Sequence, residues 1–218
     1  MPRPPVMLSR LLKRLGGISP RRVCMKPQPG TATVDDVIRM EEKYNRLFEL
    51  VDATLVEKVV GLRESLVAGE LVYLLKDHLR KNGNPGVVSG ADGTVKLLGT
   101  LVRIPDVAFI AWDRFPNRRV PEAKVSEVVP NLAVEVLSRG ITVPEMERKL
   151  KEYFLAGVDL VWFVDLETRT VKVFTSPDDW TQLTAADTLT GETVLPGFAV
   201  SVADLFSTLP PDPSRGGG

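Results

Sequence analysis

The 218-residue chain contains one cysteine and one histidine. Cys24, alone, cannot close an intrachain disulfide or build a thiolate zinc site. His78, alone, rules out multi-histidine metal centres and any His-based triad not built around it. It falls in "LLKDHLRKNG", the end of a helical pattern, where a solvated or capping role suits it. Aromatic residues make up only 6% of the chain, and Trp112, Trp162 and Trp180 are scattered. That argues against a two-carboxylate glycosidase, whose site needs no metal but sits among sugar-stacking rings. No stretch approaches the roughly 20 apolar residues of a membrane span. The N-terminus lacks the apolar core and small-residue cleavage site of a signal peptide. A cytoplasmic protein with no membrane partner is expected.

What is present is an ordinary core and an uneven charge. At 44% hydrophobic residues the chain can bury one good core. Its 28 basic and 28 acidic residues cancel, but residues 1–30 hold seven basic residues and no acid. The remainder is therefore 21 against 28, a net of −7. So acidic a body is a poor electrostatic lure for nucleic acid unless a local basic groove or bound cations intervene.

The first thirty residues are rich in Pro, Gly and Arg, and "MLSRLLKRL" has the pattern of a short basic amphipathic helix. They are expected to form a poorly ordered tail, with Met25 as an alternative start. "LPPDPSRGGG", residues 209–218, reads as a frayed C-terminal tail. Between the tails, residues 31–208 read as one domain. "TVDDVIRMEEKYNRL" has a Thr cap and early acids, the marks of a helix. "LFELVDATLVEKVV" alternates, with a break near Asp52–Ala53, and predicts two short strands. Residues 62–81 form the longest helical pattern, with Leu62, Leu66, Leu71, Leu74, Leu75 and Leu79 as its apolar face. "GVVSGADGTVKLL" predicts strand, turn and strand. Thr142-x-x-Glu145 is a capping box opening a helix whose buried face is Met146, Leu150, Tyr153 and Phe154. A hairpin over 159–176, a short terminal hairpin and a "VADLF" helical turn complete the pattern. Helices interleaved with hairpins and apolar strands predict an α/β fold, a mixed sheet covered on both faces.

Two apolar strands carry a carboxylate: Asp106 in "VRIPDVAFI" and Glu135 in "NLAVEVLS". Alternation puts Ile104, Asp106 and Ala108 on one side of the first, and Ala133, Glu135 and Leu137 on one side of the second. Pro105 cannot donate to a ladder, which predicts an edge or a bulge there. If the strands are neighbours, the acids converge, and two converging carboxylates stay ionised only beside a cation. With no spare His or Cys, that cation is Mg²⁺ or Mn²⁺ rather than zinc. The competing reading gives each acid a basic partner, with Arg103, Arg139 and Arg148 near in sequence.

In order and spacing, "LFELVDATLVE", "IPDVAF", "PNLAVEVLS", "KLKEY" and "AGVDLVWFVD" resemble the Uma-two family of restriction-endonuclease-like proteins, within the PD-(D/E)XK nuclease superfamily. The resemblance covers residues 34–206. It implies the restriction-endonuclease-like fold, a mixed central β-sheet flanked by helices, with Asp106 and Glu135 as catalytic metal ligands. The lysine expected two residues after Glu135 is here Leu137. Lys149 and Lys151 flank the apolar stripe of the following helix on opposite sides, and spacing alone leaves both open. The family pattern sets a lysine four residues before the helix tyrosine, which implies Lys149. Glu64 falls where family members often carry a His on the first core helix. Glu49 matches a recurring Glu, and Ala53 replaces a usual Gly. The implied activity is Mg²⁺- or Mn²⁺-dependent phosphodiester hydrolysis in nucleic acid, DNA above all, and a homodimer would suit cutting both strands. The loop 113–130, with Arg114, Arg118, Arg119 and Lys124, is a candidate phosphate-contacting flap or a solvated connection. The alternative is an inactive nuclease fold that binds nucleic acid or a protein.

Overall fold

The computed structural model of the protein describes residues 5–137 and 139–210. Residues 211–218, most of the expected C-terminal tail, lie outside the described residues, as do residues 1–4.

β1 (Phe48–Val51) and β2 (Thr54–Glu57) form a hairpin closed by two residues at positive φ, Asp52 (49°) and Ala53 (50°). A two-residue turn of that hand matches the twist of the flanking strands. After helix α3 (Leu62–Lys81) come β3 (Gly86–Ser89), β4 (Val95–Lys96), β5 (Val102–Arg103), β6 (Val107–Ala111) and β7 (Leu132–Leu137). The expected turn at Gly90–Gly93 does not fold β3 onto β4. It carries the chain between two sheets: β4 joins the small sheet β2-β1-β5-β4, and β3 pairs with β6 in the large one.

The large sheet is completed by β8 (Leu160–Asp165), β9 (Thr170–Phe174) and β10 (Trp180–Leu183), in the order β10-β9-β8-β7-β6-β3. Only β7 and β8 are parallel among its described pairs, and helix α4 (Val143–Ala156) makes their crossover. Alternation then divides the core. Leu132, Val134 and Val136 face α3, with α5 (Val202–Leu205) and the hairpin β11 (Thr188–Gly191)–β12 (Leu195–Ser201) on the same side. Ala133, Val161 and Phe163 face Met146, Leu150 and Tyr153 of α4. This is the expected mixed sheet between helices.

Two expectations are corrected. On α3 the buried stripe is Val67, Ala68, Leu71, Leu75 and Leu79, while Leu62 and Leu66 are 77% and 43% exposed. Glu64, in the first turn of this helix, lines a cleft, and the two leucines beside it stay outside the buried stripe. Residues 5–30, expected as a tail, are structured. They form α1 (Pro5–Arg14) and a 3₁₀ turn at Pro20–Arg22, and bury Leu15, Ile18 and Val23 against Val51 and Val56. Gly16 (φ +93°) lies so close to α4 that an added Cβ would meet Glu145 Cα at 2.6 Å. High basic content hid three apolar anchors. α2 (Val34–Tyr44) opens at Thr33 with a full capping box closed by Asp36. Among the described residues, no helix is long and apolar enough to cross a membrane.

Candidate active site

The irregularity predicted at Pro105 falls between β5 and β6. The register Val107↔Val134 brings Asp106 beside Glu135 across the antiparallel pair. The Asp106 N–H donates to Val134 O (2.9 Å), and its Oδ2 accepts from the Val136 N–H (2.7 Å). Ala108 pairs with Ala133 on the face that α4 covers, so both carboxylates point to that side.

Helix α4 supplies the cation. Lys149, 4% exposed, donates to Glu135 Oε2 (3.0 Å) and Oε1 (3.1 Å) and pairs with Glu49 Oε1 (3.0 Å). The Tyr153 hydroxyl donates to Glu135 Oε1 (2.6 Å). Lys151 is exposed, so of the two lysines that spacing left open it is Lys149 that meets the carboxylates. Leu137, on Glu135's face of β7, packs among the apolar residues under α4.

Glu49 on β1 is fully buried. It takes Arg103 Nη1 at 2.7 Å and the Ile104 N–H at 3.3 Å. Arg103 in turn binds Glu152, through Nε at 2.9 Å and through Nη2. Lys58 reaches Asp106 Oδ1 (2.9 Å) and donates to the Ile104 carbonyl. Asp106 and Glu135 therefore each have a basic partner, as the competing reading has it, but the partners are Lys58 and Lys149 and none of the three arginines: Arg103 goes to Glu49 and Glu152. Arg148 goes instead to Asp52 and Glu152, and Arg139 to Glu167.

These pairings shift the groups in opposite directions. Burial pushes the Asp106 carboxyl above the ordinary range; Lys58 pulls it back, and the neighbouring Glu135 charge adds to the rise. Burial also acts against ionised Glu49, but Lys149, Arg103 and Lys58 outweigh it and hold that carboxyl well below the usual range. Burial disfavours the Lys149 ammonium, yet Glu135 and Glu49 keep it firmly charged. Tyr153 is raised by burial and then by Glu135.

The residues open onto a cleft of about 310 Å³ lined by Asp106, Glu135, Lys149, Lys58, Glu64, Glu145 and Arg22 among others. Glu64 is half-buried on the first turn of α3, folded over Gly61, at the rim and apart from the buried network. No residue of 113–130 lines this cleft. That loop joins the ends of β6 and β7 remote from Asp106, and Arg114 staples it to Val129 O, Pro130 O, Gly157 O and Asp159. The loop is thus tied down away from this cleft.

Sequence reasoning missed Lys58, Arg22 and Glu145, and took Tyr153 for plain core. Lys58 was within reach: Glu49 pairs with Val56, and the alternation Val56–Lys58 sets the ammonium on the face of Glu49. Glu145 makes only half of its capping box. Its N–H goes to Thr142 Oγ1 (3.2 Å), while its carboxylate, 3% exposed, pairs with Arg22 at 2.8 Å. No pattern announces Arg22, which sits in the segment expected to be loose.

The donor set fits a hard divalent ion at the lower limit of protein ligands. Among the described residues, no group of three or more His, Cys, Asp or Glu is placed to hold a metal. Asp106 and Glu135 remain, and Mg²⁺ commonly takes one or two carboxylates, completing its shell with water and phosphate oxygens. Their oxygens are engaged by the neighbours already named, but a carboxylate has about four lone-pair sites, so capacity remains.

The Uma2 family model, described as "Putative restriction endonuclease", matches residues 34–203, more than half of the chain. Among solved structures, a putative nuclease belonging to DUF820 from Anabaena variabilis superposes with a TM-score of 0.69 at 17% identity. The match covers 80% of this chain and 97% of that one. No curated protein matches the chain.

Proposed function

The chain belongs to the Uma2 family, and from that membership we propose that it is an endonuclease hydrolysing phosphodiester bonds of DNA with a divalent ion, Mg²⁺ or Mn²⁺, held by Asp106 and Glu135. The observation that carries this reading is the meeting of Asp106 and Glu135 on one face of adjacent strands, at a cleft that also receives the Lys149 ammonium. When bound, the ion would polarise the scissile phosphate and lower the pKa of a coordinated water.

The chain's own residues have distinct tasks. Lys149 has three N–H donors, and Glu135 Oε1, Glu135 Oε2 and Glu49 Oε1 engage them, so its part toward a phosphate is that of a positive charge held in place. Charge fixed in a water-poor site stabilises negative charge developing on the phosphate. Glu49 anchors Lys149 from below, and Arg103 in turn holds Glu49. Tyr153 fixes the rotamer of Glu135. Lys58 pairs with Asp106 and would compete with a bound ion for Oδ1. Glu64, at the mouth, is a candidate outer ligand acting through water. A twofold pair of such sites would cut both strands, which favours a homodimer, and a cytoplasmic location suits the substrate.

Calorimetry with Mg²⁺ and Mn²⁺ tests this on the wild type, Asp106→Asn and Glu135→Gln, together with cleavage of plasmid DNA. Binding and cleavage lost in both variants are expected. The three basic partners and the two-ligand donor set favour one second reading, a nuclease fold that binds nucleic acid without cutting it. Absence of metal binding, even with DNA present to supply phosphate ligands, would leave that reading standing.

A further inference from the structure

A second cleft, of about 250 Å³, adjoins the first, and Arg22 lines both. Its lining includes Arg21, Arg22, Lys26 and Arg46, with Glu57 as the carboxylate among them. Arg21, Lys26 and Arg46 are exposed, and the half-exposed ring of Tyr44 stands beside them. Three of these cations come from the first thirty residues, the segment with seven basic residues and no acid, set against a remainder of net −7.

The fold fixes this charge in place. Arg22 spans the junction, with Nε on the Glu57 carbonyl (3.0 Å) and Nη1 on Glu145 (2.9 Å). Val23, the next residue, is buried against Val51 and Val56. Arg46 is braced by the Glu57 carboxylate (Nε–Oε1 2.6 Å). With Arg22 and Arg46 held by Glu145 and Glu57, and Arg21 and Lys26 exposed beside them, the cations outnumber the acids where this cleft adjoins the catalytic one, on a body that is otherwise acidic. Arg forks match phosphate oxygens, and an exposed ring beside a basic groove suits a nucleic-acid strand.

We propose that this basic cleft, three of whose four cations precede the family-matched 34–203, is the track that holds the phosphate backbone of DNA as the strand runs on from the catalytic cleft. The identity of the strand rests on the nuclease reading; the affinity of the track does not depend on catalysis. The segment thereby supplies the local basic groove that an acidic body lacks.

The test uses the full chain and short duplex DNA, with binding read by fluorescence anisotropy over a range of salt. Arg21→Ala/Lys26→Ala/Arg46→Ala is compared with a control, Arg80→Ala/Arg118→Ala/Arg119→Ala, which removes equal charge from exposed positions that line neither cleft. Metal-dependent hydrolysis of bis(p-nitrophenyl) phosphate, a diester too small to reach the track, and thermal melting monitor the site and the fold. The track variant should bind DNA at least tenfold more weakly, with a log–log salt slope shallower by about 2–3, at roughly 0.9 for each phosphate that is no longer neutralised. The control should match wild type, and the small-diester rate should hold in both. Unchanged affinity and slope in the track variant, equal weakening in the control, or a wild type that binds no DNA would overturn the proposal. Binding lost only in the track variant, with neither DNA nor small diester ever hydrolysed by the wild type, would uphold the track and sink the nuclease reading.

Discussion

Lys149 Nζ stands 3.0 Å from Glu49 Oε1 and 3.0 Å from Glu135 Oε2, so one ammonium on α4 ties the small sheet to the large one. Removing it strands two buried carboxylates, and breaking a buried ion pair on one side costs about 3–5 kcal/mol. Lys149→Met should therefore lower Tm by about 6–20 °C, at roughly 2–4 °C per kcal/mol for a chain of this size. Lys151→Met, on the exposed side, should leave Tm within a degree or two. Equal melting of the two variants would show that the buried ion pairs carry no stability.

Lys58 holds Asp106 Oδ1, where a divalent ion would compete. A hydrogen bond to a charged group contributes about 1.5–3 kcal/mol. Lys58→Met keeps the aliphatic stem and removes the competitor, so Mn²⁺ affinity should rise by about tenfold or more in calorimetry. Weaker binding would instead make Lys58 an ally of the ion.

Asp106 is raised by burial, and a metal takes only its ionised form. A raised carboxyl keeps its proton to higher pH, so ion affinity should climb as pH rises through the interval above the ordinary aspartate value of 3.8. Binding should release protons, detectable as a dependence of the apparent enthalpy on the buffer's ionisation enthalpy.

Glu49 is displaced the other way. Its folded form releases its proton more readily than the unfolded one, so it contributes stability above the ordinary glutamate value of 4.5, lost as pH falls toward the depressed folded value. Urea melts of the wild type should show this acid limb. Glu49→Gln should be less stable at neutral pH and flatter across that range.

Leu15 is 3% exposed in the segment whose composition suggests disorder. Leu15→Ala should cost about 2–5 kcal/mol, the range for a core leucine. No change in the denaturation midpoint would mean that the segment does not pack.

The strands, the helix starts and the pair Asp106–Glu135 were legible because alternation and capping are local patterns. The hairpin at Asp52–Ala53, the cap at Thr33 and the apolar faces of β7 and α4 depend on neighbours a few residues apart. The partition of β3 and β4 between two sheets was not legible, since a turn does not say which edge its strands will find. Nor was the docking of Leu15, Ile18 and Val23: spaced singly among basic residues, they make no periodic stripe. Lys58 lay in plain view on a strand already predicted, but its importance depends on Asp106, which lies far along the chain and meets it only through the packing of the two sheets.

Leu137 occupies the strand position where a lysine would lie beside Glu135 through the backbone alone, whatever the state of the rest of the molecule. With the ammonium on α4, the pair exists only while the helix is seated on the sheet. Glu49, on yet another element, is released in the same movement. The charge constellation is therefore a property of the assembled tertiary structure, absent until α4 is seated on the sheet and lost when it lifts. A chain caught with its strands paired and its helix adrift would carry its acids without their cation.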